Sequence, residues 1–139
     1  MCICLHLECV YTVVVAAYIH GGNRLATLVG LNSVVDEQVG KDIAMQVAAM
    51  NPIALDKDFV SQDTIDNEID VAKDLARQEG KPDQMLEKIA MGRLNKFFKE
   101  NTLLNQEFIK ESKTSVSQYL NKIEKDLTVT GFKRVGLGV

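Results

Sequence analysis

Two rhythms of hydrophobic and polar positions run along this chain. Residues 10 to 20, VYTVVVAAYIH, are rich in valine and tyrosine, side chains that suit a pleated surface, and predict a first strand. His20-Gly21-Gly22-Asn23 then supplies turn residues that tolerate positive φ. Arg24 to Leu31, RLATLVGL, returns as a second strand, so the two form a hairpin. Close to the other end, Leu127, Val129 and Gly131 alternate with Thr128, Thr130 and Phe132, which predicts a last strand able to join that hairpin.

Between the strands the period changes. Val35, Val39, Ile43, Val47 and Met50 recur at spacings of four and three, predicting a helix with one apolar face. Asn32-Ser33 stands where its N-cap belongs, and Pro52 disfavours continuing it through Asn51. Ala44, Ala48 and Met45 widen the apolar stripe, Met50 counts toward the core, and Glu37, Gln38, Lys41 and Asp42 form the opposite face.

A second helical pattern begins near Thr64, where Ile65, Ile69, Ala72 and Ala76 make a narrow seam. Gly80-Lys81-Pro82 suits the end of one helix and the first turn of another. That third helix runs to about Glu100 and presents Leu86, Ile89, Arg93, Leu94, Phe97 and Phe98. So short a connection makes the two helices antiparallel neighbours. Their seam is too narrow for a self-sufficient domain, so the helical hairpin projects or pairs with another chain. The stretch NTLLNQEFIKES, residues 101 to 112, reads as an irregular connector. Ser115-x-x-Gln118 reads as a capping box ahead of a short helix carrying Val116, Tyr119, Leu120 and Ile123. The expected class is α+β: a three-stranded antiparallel sheet covered by helices, with an antiparallel helical hairpin inserted at about residues 64 to 100. Residues 1 to 9 form an atypical opening segment, and residues 10 to 139 a single core region.

Composition narrows the functional classes. The chain has 139 residues, 46% hydrophobic and 25% charged, with a formal net charge of -3. That balance excludes electrostatic attraction to nucleic acid or anionic lipid as its trade. Cys2, Cys4 and Cys9 crowd into the first nine residues; an odd count at one end is no disulfide framework, and no second ligand pair makes a zinc site of them. Three reduced thiols in a cytoplasmic protein is the expectation. The apolar run from Val10 to Ile19 is about half the length that crosses a bilayer, and no basic residue precedes Arg24 as a signal peptide would require.

Motifs of catalysis are missing. There is no phosphate-cradling Gly-rich loop followed by Lys, no Gly-x-Ser-x-Gly and no His-Glu-x-x-His. His6 and His20 are the only histidines. Asp63, Asp66, Glu68 and Asp70 lack the spacing and turning glycine of a calcium loop and read as a solvated face. No metal, cofactor or covalent chemistry is implied. His20, at a strand end beside a Gly-Gly turn, is placed to be exposed and rigidly presented.

Several stretches together resemble the translation elongation factor Ts family. They are YIHGGNR (18 to 24), KDIAMQVAAMNP (41 to 52), GKPDQMLEKIAMGRLNKFFKENTLLNQEFIKESKTSV (80 to 116) and VTGFKRVGLG (129 to 138). The resemblance implies a nucleotide exchange factor for elongation factor Tu, of which this chain matches the C-terminal core subdomain and its inserted helical hairpin. The family's Thr-Asp-Phe motif, which loosens magnesium and GDP in the partner, is not in this sequence. In the family, the histidine of the Tyr-x-His-Gly motif lies on the surface that meets Tu, which carries a partner-binding role onto Tyr18, His20, Gly21 and Arg24. The hairpin matches a dimerising insertion, implying a possible homodimer with Ile65, Ile69, Ala72, Ala76, Leu86, Ile89, Leu94 and Phe97 in the arm. The competing reading is a purely structural self-association module without Tu. Gln46 stands where the family usually has His, Ala26 where Gly is usual, and Glu107 where Pro is frequent; the first two are expected to retune contact affinity.

Overall fold

The computed structural model describes residues 13 to 137. The cysteines and the first part of the opening strand lie outside the described residues. Three strands, β1 (Val14–Ile19), β2 (Leu25–Leu31) and β3 (Val129–Gly136), form one antiparallel sheet in the order β1-β2-β3, so the last strand pairs with β2 and makes it central. Alternation does what it should at a half-covered sheet: Val14, Ala16 and Tyr18 face inward from β1, while Thr27, Val29 and Leu31 are buried from β2.

Helix α1 (Glu37–Met50) covers that inner face, lying mainly over β1 and β2. Gly40 makes the close approach possible: a Cβ there would stand 2.6 Å from the Ala16 Cβ. The helix begins later than its sequence suggests. Asp36 caps it by accepting from the Gln38 backbone N–H. Asn32 instead crosses to the start of β3, donating to the Asp126 carbonyl and accepting from the Thr128 N–H, and Ser33 donates to Glu124. Asn51 ends α1 in the left-handed region, φ 45°.

Two residues assigned from the periodicity exchange places. Asp42, expected on the solvent face, is buried and bonded to Gln38 and Lys110. Met50, expected in the core, is exposed. For Asp42 the reason is that the connector after the arm folds back over the flank of α1 and covers a residue that a sheet alone would leave wet.

The arm is α2 (Gln62–Gln78) and α3 (Asp83–Asn101), packed on each other and broadly on no other element. Ser61 caps α2. Gly80, at φ +73°, closes it in a Schellman motif, Lys81 N–H bonding to the Ala76 carbonyl and Gly80 N–H to that of Arg77. Pro82 sits at the N-cap of α3, one residue before the first turn expected for it. At the neck, Ile53 bonds to Asn101, and Leu103 and Leu104 bond to Ala54 and Leu55.

The connector is irregular in conformation but central to the core. Leu103 and Phe108 are buried with Ile43, Val47, Val116, Leu120 and Leu127 in the main hydrophobic cluster. Helix α4 (Val116–Ile123) begins with the expected capping box, Ser115 accepting from Gln118 N–H and the Gln118 side chain accepting from Ser115 N–H.

Candidate functional site

The β1–β2 hairpin positions the sequence-predicted docking residues. His20 N–H bonds to the Leu25 carbonyl at 2.8 Å, and Asn23 N–H to the His20 carbonyl at 3.1 Å, closing a tight turn. Gly22 carries the positive φ of +87°, which is the backbone demand that selects glycine there. Gly21 has no such demand, and a Cβ on it would meet nothing within 4 Å.

Tyr18 is half-buried at the end of β1, while His20, Gly21 and Arg24 are exposed. The Tyr18 hydroxyl lies 3.2 Å from His20 Nδ1, with the ring centroids 6.1 Å apart. A side chain rooted in the sheet thus holds the imidazole over the turn. The Arg24 carbonyl accepts from Leu137 N–H, so its backbone is fixed by the far end of β3. All four residues are brought together at one end of the sheet. This arrangement offers an aromatic hydroxyl, an imidazole and a guanidinium to a macromolecular surface. Its exposed turn residues present a surface, unlike the enclosed pocket that small-molecule chemistry needs.

The same end of the sheet holds a residue that sequence reasoning passed over. Arg134 lies opposite Thr27 in the β2–β3 register, and Thr27 lies opposite Tyr18. Its Nε is buried without a hydrogen-bond partner, the one such side-chain nitrogen or oxygen among the described residues. The signal was present in the closing Phe-Lys-Arg, but only strand register could set it in a row with Tyr18.

The arm residues are also brought together. Ala72, Ala76, Leu86 and Leu94 are buried in the α2–α3 seam, and Ile65, Ile69, Ile89 and Phe97 are partly buried beside them. Ala90 joins the buried seam, although it was not singled out from sequence. Ion pairs from Lys73 to Glu87 and Arg93 to Glu79 tie the helices across the seam. The seam therefore closes the hairpin on itself. What α2 leaves outside is Val71 and Leu75, one turn apart.

Gln46 is no contact residue. It is completely buried, accepting from Ile109 N–H at 2.9 Å and donating to Gln106 and the Glu107 carbonyl. It braces the connector against α1, so its departure from histidine falls on the interior and not on a partner surface. Among the described residues, no three His, Cys, Asp or Glu side chains gather as a metal ion would require. No described helix is long and apolar enough to cross a membrane.

Comparison with known proteins gives the family. The family profile described as elongation factor TS matches residues 6 to 139. The chain belongs to the elongation factor Ts family. It is 52% identical over 126 residues to elongation factor Ts of Flavobacterium psychrophilum, covering 89% of this chain and 46% of that protein. Against elongation factor Ts of Amoebophilus asiaticus it is 56% identical over 128 residues, covering 90% and 46%. The more distant elongation factor Ts of Clostridium botulinum shares 40% over 133 residues, covering 90% and 43%. The chain thus spans about half the length of the curated elongation factor Ts relatives it matches.

Proposed function

We propose that this chain is an elongation factor Ts-like docking module, which binds elongation factor Tu through Tyr18, His20, Gly21 and Arg24 and carries out no covalent chemistry. Family membership supports the class of partner. The observation that carries the reading is the imidazole of His20, exposed and yet held by the Tyr18 hydroxyl on a turn closed by backbone bonds. A side chain ordered before binding loses little entropy on docking. Exchange would follow by linkage: a factor that prefers nucleotide-free Tu must lower the affinity of Tu for nucleotide by the same factor.

Since the sequence has no Thr-Asp-Phe, the chain alone is expected to bind Tu while accelerating GDP release little. Release of fluorescent GDP and direct binding, measured on the same samples, test this. His20→Ala is expected to weaken Tu binding by roughly tenfold, in line with loss of one well-placed interface side chain. Unchanged binding in that variant would remove His20 from the interface, and strong acceleration by the native chain would overturn the division between docking and exchange.

A second reading is supported by Val71 and Leu75 on α2: the arm as a self-association surface, with or without Tu.

A further inference from the structure

The three strands and the turn joining the first two carry Arg24, Lys133 and Arg134 but no aspartate or glutamate, in a chain whose formal net charge is -3. None of these three cations forms an ion pair among the described residues, where every such pair lies on the helices, the arm or the connector. The sheet is thus a basic patch on an acidic chain. Alternation divides its cations between the two faces. Lys133 shares a row with Leu28 and Ala17 on the face turned away from α1, whereas Arg134 shares the row of Thr27 and Tyr18 on the helix side.

Arg134 is held at the margin of the helical cover. Helix α1 lies mainly over β1 and β2 and meets β3 far less, so the Arg134 side chain is only half-buried. Neither hydroxyl of its row serves it. Thr27 turns its hydroxyl to the Ala44 carbonyl at 2.8 Å, and the Tyr18 hydroxyl lies against His20 Nδ1. Arg134 Nε–H is left without an acceptor. A buried N–H in that condition is uncommon and calls for a reason, the more so on a side chain that cannot shed its charge.

We propose that Arg134 is a further docking residue, whose guanidinium takes a carboxylate of the protein partner beside the contact made by His20. The inference rests on the Tu docking reading and adds the chemistry of a second contact. Charge complementarity selects the occupant: no carboxylate of the strands competes for the guanidinium, and its Nε edge, with one Nη, is the fork that a carboxylate accepts through two parallel bonds. Arg134 and Tyr18 are two strands apart, about 10 Å, so one partner surface spans both. No hydrogen bond holds Nε in the free chain, so turning the fork outward breaks none there, and docking replaces an unmade bond by a charge-assisted one.

Binding kinetics of the full chain on nucleotide-free elongation factor Tu, with a urea midpoint for each variant, test the proposal. Arg134→Met is expected to weaken binding by roughly tenfold, chiefly through faster dissociation. Its urea midpoint should stay level or rise, because the substitution removes an unsatisfied buried group. A merely structural arginine would not move the two readouts apart in this way. Arg134→Lys keeps the charge without the fork and should recover only part of the affinity. Lys88→Gln, which removes an exposed arm cation with no described ion pair, makes the same change in net charge and should bind as the native chain does. Native affinity in Arg134→Met, with binding weakened in His20→Ala, would overturn this inference and leave the docking reading standing. Affinity and urea midpoint falling together in Arg134→Met would overturn it as well, making the residue structural. A native chain that does not bind Tu would remove the docking reading, and this inference with it.

Discussion

Gln46 shows how much one interior side chain can organise. Its amide accepts from Ile109 N–H and donates to Gln106 and to the Glu107 carbonyl, fastening an irregular segment that carries Leu103 and Phe108 into the core. Removing it takes a partner from the buried Gln106 side chain and from the partly buried Ile109 N–H and Glu107 carbonyl, at about 1–3 kcal/mol for each group that water does not reach. Gln46→Ala is therefore expected to lower stability by about 2–4 kcal/mol, read as a drop in the urea midpoint, while leaving the His20 turn unperturbed by NMR. Histidine at this position, with one donor and one acceptor, should cost less than alanine. A midpoint unchanged in Gln46→Ala would mean that the connector is held by packing alone. The family pattern flagged this position but suggested a contact role; only its burial assigns it to the connector.

Among the elements, α4 is tied to the connector by charge. Lys122 on α4 donates to Glu111 of the connector, and Thr114 donates to the same carboxylate. The Lys122 bond first, then the Thr114 bond, hold the Glu111 carboxyl below its ordinary value of 4.5. A group depressed in the folded state binds protons more readily when unfolded, so its contribution is present above the ordinary value and is lost as pH falls through the folded one. The native chain should consequently lose stability more steeply below pH 4.5 than Lys122→Ala does. Urea midpoints across an acid series check this, and parallel curves would refute it. The boundaries of α4 were readable because a capping box is local chemistry. The start of α1 was not: Asn32 and Ser33 have cap-forming side chains, but residues near the start of β3, more than ninety positions away, claim them first.

At the scale of the molecule, the arm and the core meet at a narrow neck among the described residues. Ile53 to Leu55 pair with residues 101 to 104, and neither arm helix packs broadly on the sheet or on α1. Replacing residues 57 to 100 by a short Gly/Ser linker is expected to leave the core cooperatively folded and the His20 turn intact, because the neck bonds from Ile53, Leu103 and Leu104 lie outside the replaced segment and a short flexible loop costs little to close. Circular dichroism should show a loss of helix with the strand signal retained, and Tu binding should survive. Collapse of the fold would show that the arm supplies stability to the core.

The sequence by itself determined what depends on neighbours a few positions apart. The three strands, the four helices, the seam of the arm, the glycine turn beneath His20 and the family were all legible there, since alternation, helical period and caps are local. Tertiary structure decided which of the locally equivalent choices prevailed. It buried Asp42 by folding the connector over α1, left Met50 exposed at the end of that helix, turned Gln46 inward, and aligned Arg134 with Tyr18 across the sheet. It also left one face of that sheet bare. The physical reason is common to all of these: burial depends on what the rest of the chain brings to a surface, and no periodicity within an element carries that information.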